Sequence, residues 1–270
     1  MFYPLQLDLS DKSRLEQAAV VLNPASSKRL IGQAVAALPE VKNAYANGRL
    51  AVSTSTSSVF VLEALMGEKV SPYCYSVGMV AGGMLTSSIP DDREVPRFFL
   101  KGEKVEMEAR DFFNDMEKGD CVVKGANAVD PQGNIGVLAA NPQGGTIGAI
   151  MSRVAVRGVP AIFPVGLEKS IACVPGAAAG WGQLSLSRCM GLPSWLFPVT
   201  SGLAVTEIQA LGVLAGVAVR HIASGGIGGS EGAVVLLLEG YEENVARAWD
   251  LVQSVKDEPA VEVPRHKFCE

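Results

Sequence analysis

Short apolar segments alternate along the chain with longer segments of helical spacing. Runs dominated by apolar residues predict buried strands at 49–52, 121–123 and 161–165. Apolar positions three and four residues apart predict helices at 30–38 and 147–156. We therefore expect an α/β fold, in which a mostly parallel sheet is flanked by helices.

The C-terminal third has a different rhythm. A strand from about 195 is followed by segments that predict a helix, two strands, a second helix and a last strand, at 203–215, 217–222, 233–238, 242–255 and 260–263. This β-α-β-β-α-β order predicts a smaller ferredoxin-like α+β domain. The predicted units are an α/β ligand-binding domain at 1–176, a connection at 177–198 and the ferredoxin-like domain at 199–264.

Charge and aromatic content argue against nucleic acid as a partner. The 270 residues include 23 Lys and Arg against 28 Asp and Glu, a net charge of −5, and only 6% aromatic residues. Nucleic-acid binding needs clustered basic residues or stacking aromatics. No apolar run reaches the roughly 18 residues of a membrane span. We therefore expect neither nucleic acid nor a membrane as a partner.

The cysteines are odd in number and irregularly spaced, at Cys74, Cys121, Cys173, Cys189 and Cys269. None forms a CxxC pair, so we expect no metal site and no disulfide framework. The first residues lack the basic and apolar regions of a signal peptide. These features predict a cytoplasmic protein, and no cofactor is predicted.

Six consecutive hydroxyl residues follow the first predicted strand. A strand ending at Val52 and a helix beginning near Ser57 would place this turn at the carboxyl edge of the sheet. Free amides at a helix start suit a phosphate or carboxylate. An ordinary N-cap is the alternative, but a cap needs only one such residue. The predicted ligand-binding residues here are Ser53, Thr54, Ser55, Thr56 and Ser57.

A second polar region follows the strand at 121–123. Its predicted ligand-binding residues are Gly125, Asn127, Gly144, Gly145 and Thr146, the last three lying before the helix at 147–156. Lys169, at the end of the strand at 161–165, is a further binding candidate. The candidate catalytic residues are Lys124, Asp130 and Glu168. A turn role for Asp130 and a surface ion pair for Glu168 and Lys169 are the alternatives.

The order of these motifs resembles the superfamily of ribose-5-phosphate isomerases, CoA transferases and glucosamine-phosphate deaminases, which also contains DeoR-type sugar sensors and LUD domains. The resemblance covers roughly residues 45–172. It rests on the Ser/Thr turn, the segment Gly125–Pro131, the Gly144-Gly145-Thr146 turn and the segment Val159–Lys169. It implies the α/β fold and an anionic metabolite as ligand.

Two departures separate the chain from the isomerases. Lys124 and Asn127 stand where the isomerases have carboxylates, and Gln143 opens a turn that begins with lysine in them. Because isomerisation needs a positioned carboxylate to move a proton, isomerase activity does not carry over. We expect a binding protein for a sugar phosphate, carboxylate or CoA ester. The alternatives are an enzyme of the same superfamily with non-standard residues and a regulatory or interaction subunit. A homo-oligomer is expected.

The Gly-rich segment 224–232 and the two histidines have ordinary explanations. The glycines suit an anion cradle, but a hairpin between two strands is the preferred interpretation. His221 and His266 are too isolated for a hydrolytic triad or a metal site, which predicts structural or surface roles.

Overall fold

The computed structural model describes residues 1–268, and Cys269 lies outside them. The strands are β1 (Leu15–Leu22), β2 (Arg49–Val52), β3 (Gly78–Ala81), β4 (Met84–Ser87), β5 (Arg97–Leu100), β6 (Glu103–Val105), β7 (Cys121–Val123), β8 (Ala128–Val129), β9 (Ile135–Ala139), β10 (Ala161–Pro164), β11 (Trp195–Val199), β12 (Leu203–Val205), β13 (Ala218–Ser224) and β14 (Val234–Tyr241). The helices are α1 (Pro24–Ala37), α2 (Pro39–Asn47), α3 (Ser58–Met66), α4 (Ala109–Asn114), α5 (Gly145–Arg157), α6 (Val174–Ala178), α7 (Glu207–Ala215) and α8 (Glu242–Val255).

A six-stranded sheet forms the centre of the fold, in the order β12-β10-β7-β2-β5-β6. β12, β10, β7 and β2 run parallel, whereas β5 and β6 complete one edge in antiparallel pairing. The three residues of β7 are fully buried because both faces of this central strand are covered. The expected mostly parallel sheet flanked by helices is therefore confirmed.

Successive residues of the central strands point to opposite faces of the sheet and pack in different hydrophobic clusters. Leu50 and Val52 of β2 pack in the cluster that contains α1, α7 and the inner side of a second sheet. Ala51, between them, packs with Phe112 of α4 and Ile150 of α5 on the opposite face. This alternation is what a strand covered on both sides requires. Both faces of β2 are therefore occupied by packed side chains.

The ferredoxin-like prediction for the C-terminal part is wrong. Its two middle strands are β13 and β14, but β14 pairs along its whole length with β1, from the N-terminal part of the chain. The segment predicted to begin its first helix is the strand β12 of the central sheet, and β11 pairs with β9. No strand forms at 260–263. β1 is therefore an edge strand of the three-stranded sheet β1-β14-β13, in which β14 is central.

Local signals set several element ends as predicted. The buried helix α3 begins one residue after Ser57 and ends at Gly67, which takes the left-handed conformation (φ 72°). The hydroxyl of Thr206 caps α7 by accepting from the amide of Ile208.

None of the helices within residues 1–268 has the length and the apolar composition that a membrane span requires.

Candidate functional site

The four parallel strands end side by side, and polar residues follow each of them. The amide of Ser53 donates to the carbonyl of Val123 (2.8 Å), and that of Lys124 donates to the carbonyl of Ile162 (3.0 Å). Ser53 and Lys124 thus continue the parallel register in which Val52 lies opposite Val123. Carboxyl ends of parallel strands are where ligands bind in open α/β sheets. The strand-end cluster is defined here by its side chains: Ser53, Lys124, Glu168, Lys169 and Glu207.

Two lysines dominate the strand-end cluster. The ammonium of Lys169 donates to the carbonyl of Ala126 (3.0 Å), two residues beyond Lys124. Burial, reinforced by the positive charge of Lys169, lowers the pKa of Lys124 to about 8. Burial also lowers the pKa of Lys169 to about 8, with Lys28 contributing in the same direction. The cluster thus holds two neighbouring amines whose charged forms are disfavoured.

Two carboxylates border these amines, and each is engaged. Glu168 forms an ion pair with Lys28 of α1, with 3.3 Å between Oε1 and Nζ. Glu207, fully buried at the start of α7, accepts from the amide of Leu167 through Oε2 (2.9 Å). Burial raises the pKa of the Glu207 carboxyl, although hydrogen bonds from Ser27 and Leu167 oppose this. The negative charge of Glu168 is therefore balanced by Lys28, and burial favours the neutral form of Glu207.

The Ser/Thr turn packs directly on the segment after β7. Ser55 accepts from the amide of Ser58 at the start of α3 (3.0 Å). A Cβ on Gly125 would lie 2.3 Å from the Ser55 hydroxyl, so this contact requires glycine. Ser53, Thr54 and Ser57 are buried, and Thr56 is partly exposed. The Ser53 hydroxyl has no hydrogen-bond partner among the residues described, which is unusual for a buried polar atom.

Asp130 and Asn127 have structural roles instead of places in the cluster. Both oxygens of the Asp130 carboxylate are engaged: they accept from the amides of Gln132, Asn134 and Val174 and from the Asn134 side chain, at 2.9–3.0 Å. Burial acts to raise the pKa of Asp130, but these hydrogen bonds lower it. The Asn127 side chain accepts from the amide of Leu138 across the β8–β9 hairpin. Asp130 therefore holds a turn and is not free to act as a base.

The second predicted turn makes its close contacts elsewhere. Gly144 takes the left-handed conformation (φ 78°) directly before α5, as its position before the helix suggested. A Cβ on Gly144 would lie 3.7 Å from Phe197 of β11, and one on Gly145 would lie 3.6 Å from the side chain of Asn141. These neighbours belong to β11 and to the loop after β9. They do not join Gly144, Gly145 and Thr146 to the Ser/Thr turn.

Sequence analysis missed Lys28, Glu207 and Gly232. Glu207 was missed because the segment 203–205 was interpreted as the start of a helix. Had this segment been recognised as a strand, Thr206 and Glu207 would have been predicted at the same sheet edge as the lysines. Gly232, in the Gly-rich segment, would carry a Cβ 3.5 Å from Glu168 Oε2. The loop after β13 therefore reaches the cluster, in addition to forming the predicted hairpin.

Replacement of the buried carboxyl Glu207 by glutamine should flatten the pH profile of stability. A carboxyl whose pKa is raised by folding binds its proton more tightly in the native state, so the free energy of unfolding falls as pH rises above its ordinary value of 4.5. Glutamine cannot ionise, but its side-chain oxygen can still accept the hydrogen bond from the Leu167 amide. Urea unfolding of Glu207→Gln between pH 5 and 8 measures the effect. Equal slopes for the wild type and Glu207→Gln would contradict it, and exposed Glu243→Gln is the control.

Among residues 1–268, no group of three or more His, Cys, Asp or Glu side chains is placed to hold a metal ion. The four cysteines within residues 1–268 are free and scattered, with Cys121 buried and Cys173 exposed. Comparisons with known protein families, with curated protein sequences and with solved structures find no match to this chain.

Proposed function

We propose that this protein binds a small anionic metabolite, such as a sugar phosphate, a carboxylate or a CoA ester, at the strand-end cluster. One observation carries the proposal: among residues 1–268, the side-chain ammonium of Lys124 has no hydrogen-bond or ion-pair partner, and the ammonium of Lys169, beside it, donates only to the backbone carbonyl of Ala126. Two half-buried ammonium groups with no carboxylate at ion-pair distance are costly. An anion between them offsets that cost.

The charge balance around the cluster supports an anion more than a cation. Lys28 and Glu168 neutralise each other at 3.3 Å. The raised pKa of Glu207 favours its uncharged form. The lysine pKa values of about 8 leave Lys124 and Lys169 mostly protonated at neutral pH. The uncompensated charge is therefore positive, and the buried hydroxyl of Ser53 adds a donor to it.

The motif order adds a second, weaker support. The resemblance to the isomerase, transferase and deaminase superfamily implies an anionic metabolite as ligand. An enzyme of this superfamily with non-standard residues is the second candidate function, favoured by the unpaired amine of Lys124. A homo-oligomer and a regulatory subunit stay predictions, and measuring the molecular mass in solution tests both.

Loss of the Lys124 charge should weaken anion binding. A charge-assisted hydrogen bond contributes about 1.5–3 kcal/mol, so Lys124→Met should bind inorganic phosphate roughly 10- to 100-fold more weakly. Because the anion favours protonated lysine, affinity for phosphate should fall as pH rises through 8. Titration calorimetry with phosphate, followed by a panel of sugar phosphates and acyl-CoA esters, measures both effects.

The control for this experiment is Lys104→Met, at an exposed position in β6. It removes the same charge from the chain without touching the cluster, so its phosphate affinity should match that of the wild type. Equal weakening in Lys104→Met and Lys124→Met would indicate a general charge effect and reject the site. Wild-type protein that binds no compound of the panel would reject the function.

A further inference from the structure

Lys124 and Lys169 lie together at the strand ends, but their amines are not equivalent. Lys169 is held by its hydrogen bond to the carbonyl of Ala126 at 3.0 Å. The side-chain amine of Lys124 has no hydrogen-bond or ion-pair partner among residues 1–268, and because Lys124 is only partly buried, this amine can be reached from solvent. One amine is anchored, and its neighbour is free to react.

A free lysine amine beside a second cation has a well-defined chemistry. The unprotonated amine is the nucleophile that adds to aldehydes and ketones, and desolvation or a neighbouring positive charge increases its share. With a pKa of about 8, roughly a tenth of Lys124 is unprotonated at pH 7. Ordinary surface lysines, with a pKa near 10.4, have less than about a thousandth in that form.

From this juxtaposition we infer that Lys124 forms a Schiff base with small carbonyl compounds that also carry an anionic group, with Lys169 binding the anionic group. The inference rests on the proposed function, since the same cluster must first attract the anion. It narrows the ligand class to 2-oxo acids and phosphorylated aldehydes or ketones. It also assigns different roles to the two lysines: Lys124 reacts, and Lys169 attracts the anion and lowers the proton affinity of Lys124.

The reaction balances without an oxidant or a metal. The Nζ lone pair of Lys124 adds to the carbonyl carbon, and the carbonyl oxygen takes up a proton. Nitrogen loses one proton, which gives a carbinolamine. The hydroxyl then takes up a second proton and leaves as water while the nitrogen lone pair forms the carbon–nitrogen double bond, and nitrogen loses its second proton. The net change is amine plus carbonyl to imine plus water, with no change of oxidation state.

The surroundings of Lys124 determine how this reactivity depends on pH. Lys169, after β10, is the charged group that acts on Lys124 directly. Lys169 is in turn influenced by Lys28 of α1, by the adjacent Glu168 and by Glu207 of α7. Lys169 lowers the pKa of Lys124 through its positive charge. Lys169→Met should therefore shift the pH at which Lys124 reacts half-maximally to a higher value, even where anion binding is saturated.

Reductive trapping tests the inference. The intact protein is incubated with cyanoborohydride and either pyruvate or glyceraldehyde 3-phosphate, and the modified lysine is located by peptide mass spectrometry. We expect Lys124 to be labelled at least about tenfold faster than the exposed Lys104, as its larger unprotonated fraction requires. Acetone and acetaldehyde, which lack the anionic group, should label Lys124 more slowly than the anionic probes do. Labelling by only one anionic probe identifies which of the two subclasses is recognised.

Lys124→Arg separates the reaction from binding. Arginine keeps the positive charge but forms no imine under these conditions, so this variant should bind phosphate and lose the rapid labelling. Rapid labelling that persists in Lys124→Arg, or uniform labelling of surface lysines in the wild type, overturns the inference. If the wild type binds phosphate but is not labelled at Lys124, only the Schiff base is rejected. If the wild type binds neither phosphate nor any other compound of the panel, the proposed function fails as well.

Discussion

Valine in place of Gly32 is expected to lower the free energy of unfolding by about 3 kcal/mol, the upper part of the range for overpacked cores. Gly32 lies in α1, where the helix crosses α3. A Cβ at this position would lie 2.4 Å from the Cβ of Phe60 and 2.7 Å from its backbone carbonyl carbon. The backbone of α3 cannot rotate away as a flexible side chain would. The two helices must therefore separate, and the core between them loosens.

Chemical denaturation of Gly32→Val measures this loss of stability. Gly32→Ala should lose less stability, because the helix propensity of alanine exceeds that of glycine by about 1 kcal/mol. The matched control is Gly78→Ala in β3, where an added Cβ meets no atom within 4 Å. That control should differ from the wild type by no more than about 0.5 kcal/mol. Wild-type stability in Gly32→Val would mean that α1 and α3 do not cross this closely.

Methionine in place of Arg29 should cost about 3 kcal/mol, the range for breaking a buried ion pair from one side. Arg29 bonds to Glu258, with 2.8 Å between Nη2 and Oε1, and to Glu63 of α3 at 3.0 Å. Its guanidinium also lies 4.4 Å from the ring centre of Phe60. Less than a fifth of each charged side chain is exposed. Methionine keeps the apolar volume but leaves Glu258 without its cation and Glu63 with only the exposed Lys69.

The loss in Arg29→Met should depend on pH. Burial acts to raise the pKa of Glu63, but hydrogen bonds from the Val70 amide, Arg29 and Lys69 together lower it. A lowered carboxyl pKa stabilises the native state above the ordinary value of 4.5, and this stabilisation is lost as pH falls through the native pKa. Urea unfolding at pH 7 and pH 3 should therefore show a smaller difference between the wild type and Arg29→Met at the lower pH.

Arg247→Met, at an exposed position in α8, is the control for charge alone and should leave stability nearly unchanged. A difference between the wild type and Arg29→Met that stays constant from pH 7 to pH 3 would contradict the ionic explanation. It would then assign the loss to packing against Phe60.

Local patterns predicted the elements of the central sheet well. β2, β7 and β10 lie where short apolar runs predicted strands, and α3 begins next to Ser57 as predicted. The strands were predictable because burial on both faces leaves a continuous apolar run. The same patterns predicted that Ser53, Lys124 and Lys169 follow strands.

The local patterns were insufficient where pairing joins distant parts of the chain. β1 has polar residues in its first half, among them Glu16 and Gln17, and it was not predicted as a strand. Its partner β14 lies more than 200 residues away. The predicted ferredoxin-like domain failed for this reason, because the strand that β14 needed came from outside the segment.

The chain's own residue order set the positions of strands, turns and helix ends, and with them the candidate lysines, because backbone preference and burial periodicity act over a few neighbouring residues. The folded arrangement chose among the possible roles of polar residues. It committed Asp130 to a turn, paired Glu168 with Lys28 and buried Glu207 beside Lys169. Those roles depend on which strand ends lie next to one another. That arrangement is set by strand pairing and packing between residues far apart in the sequence.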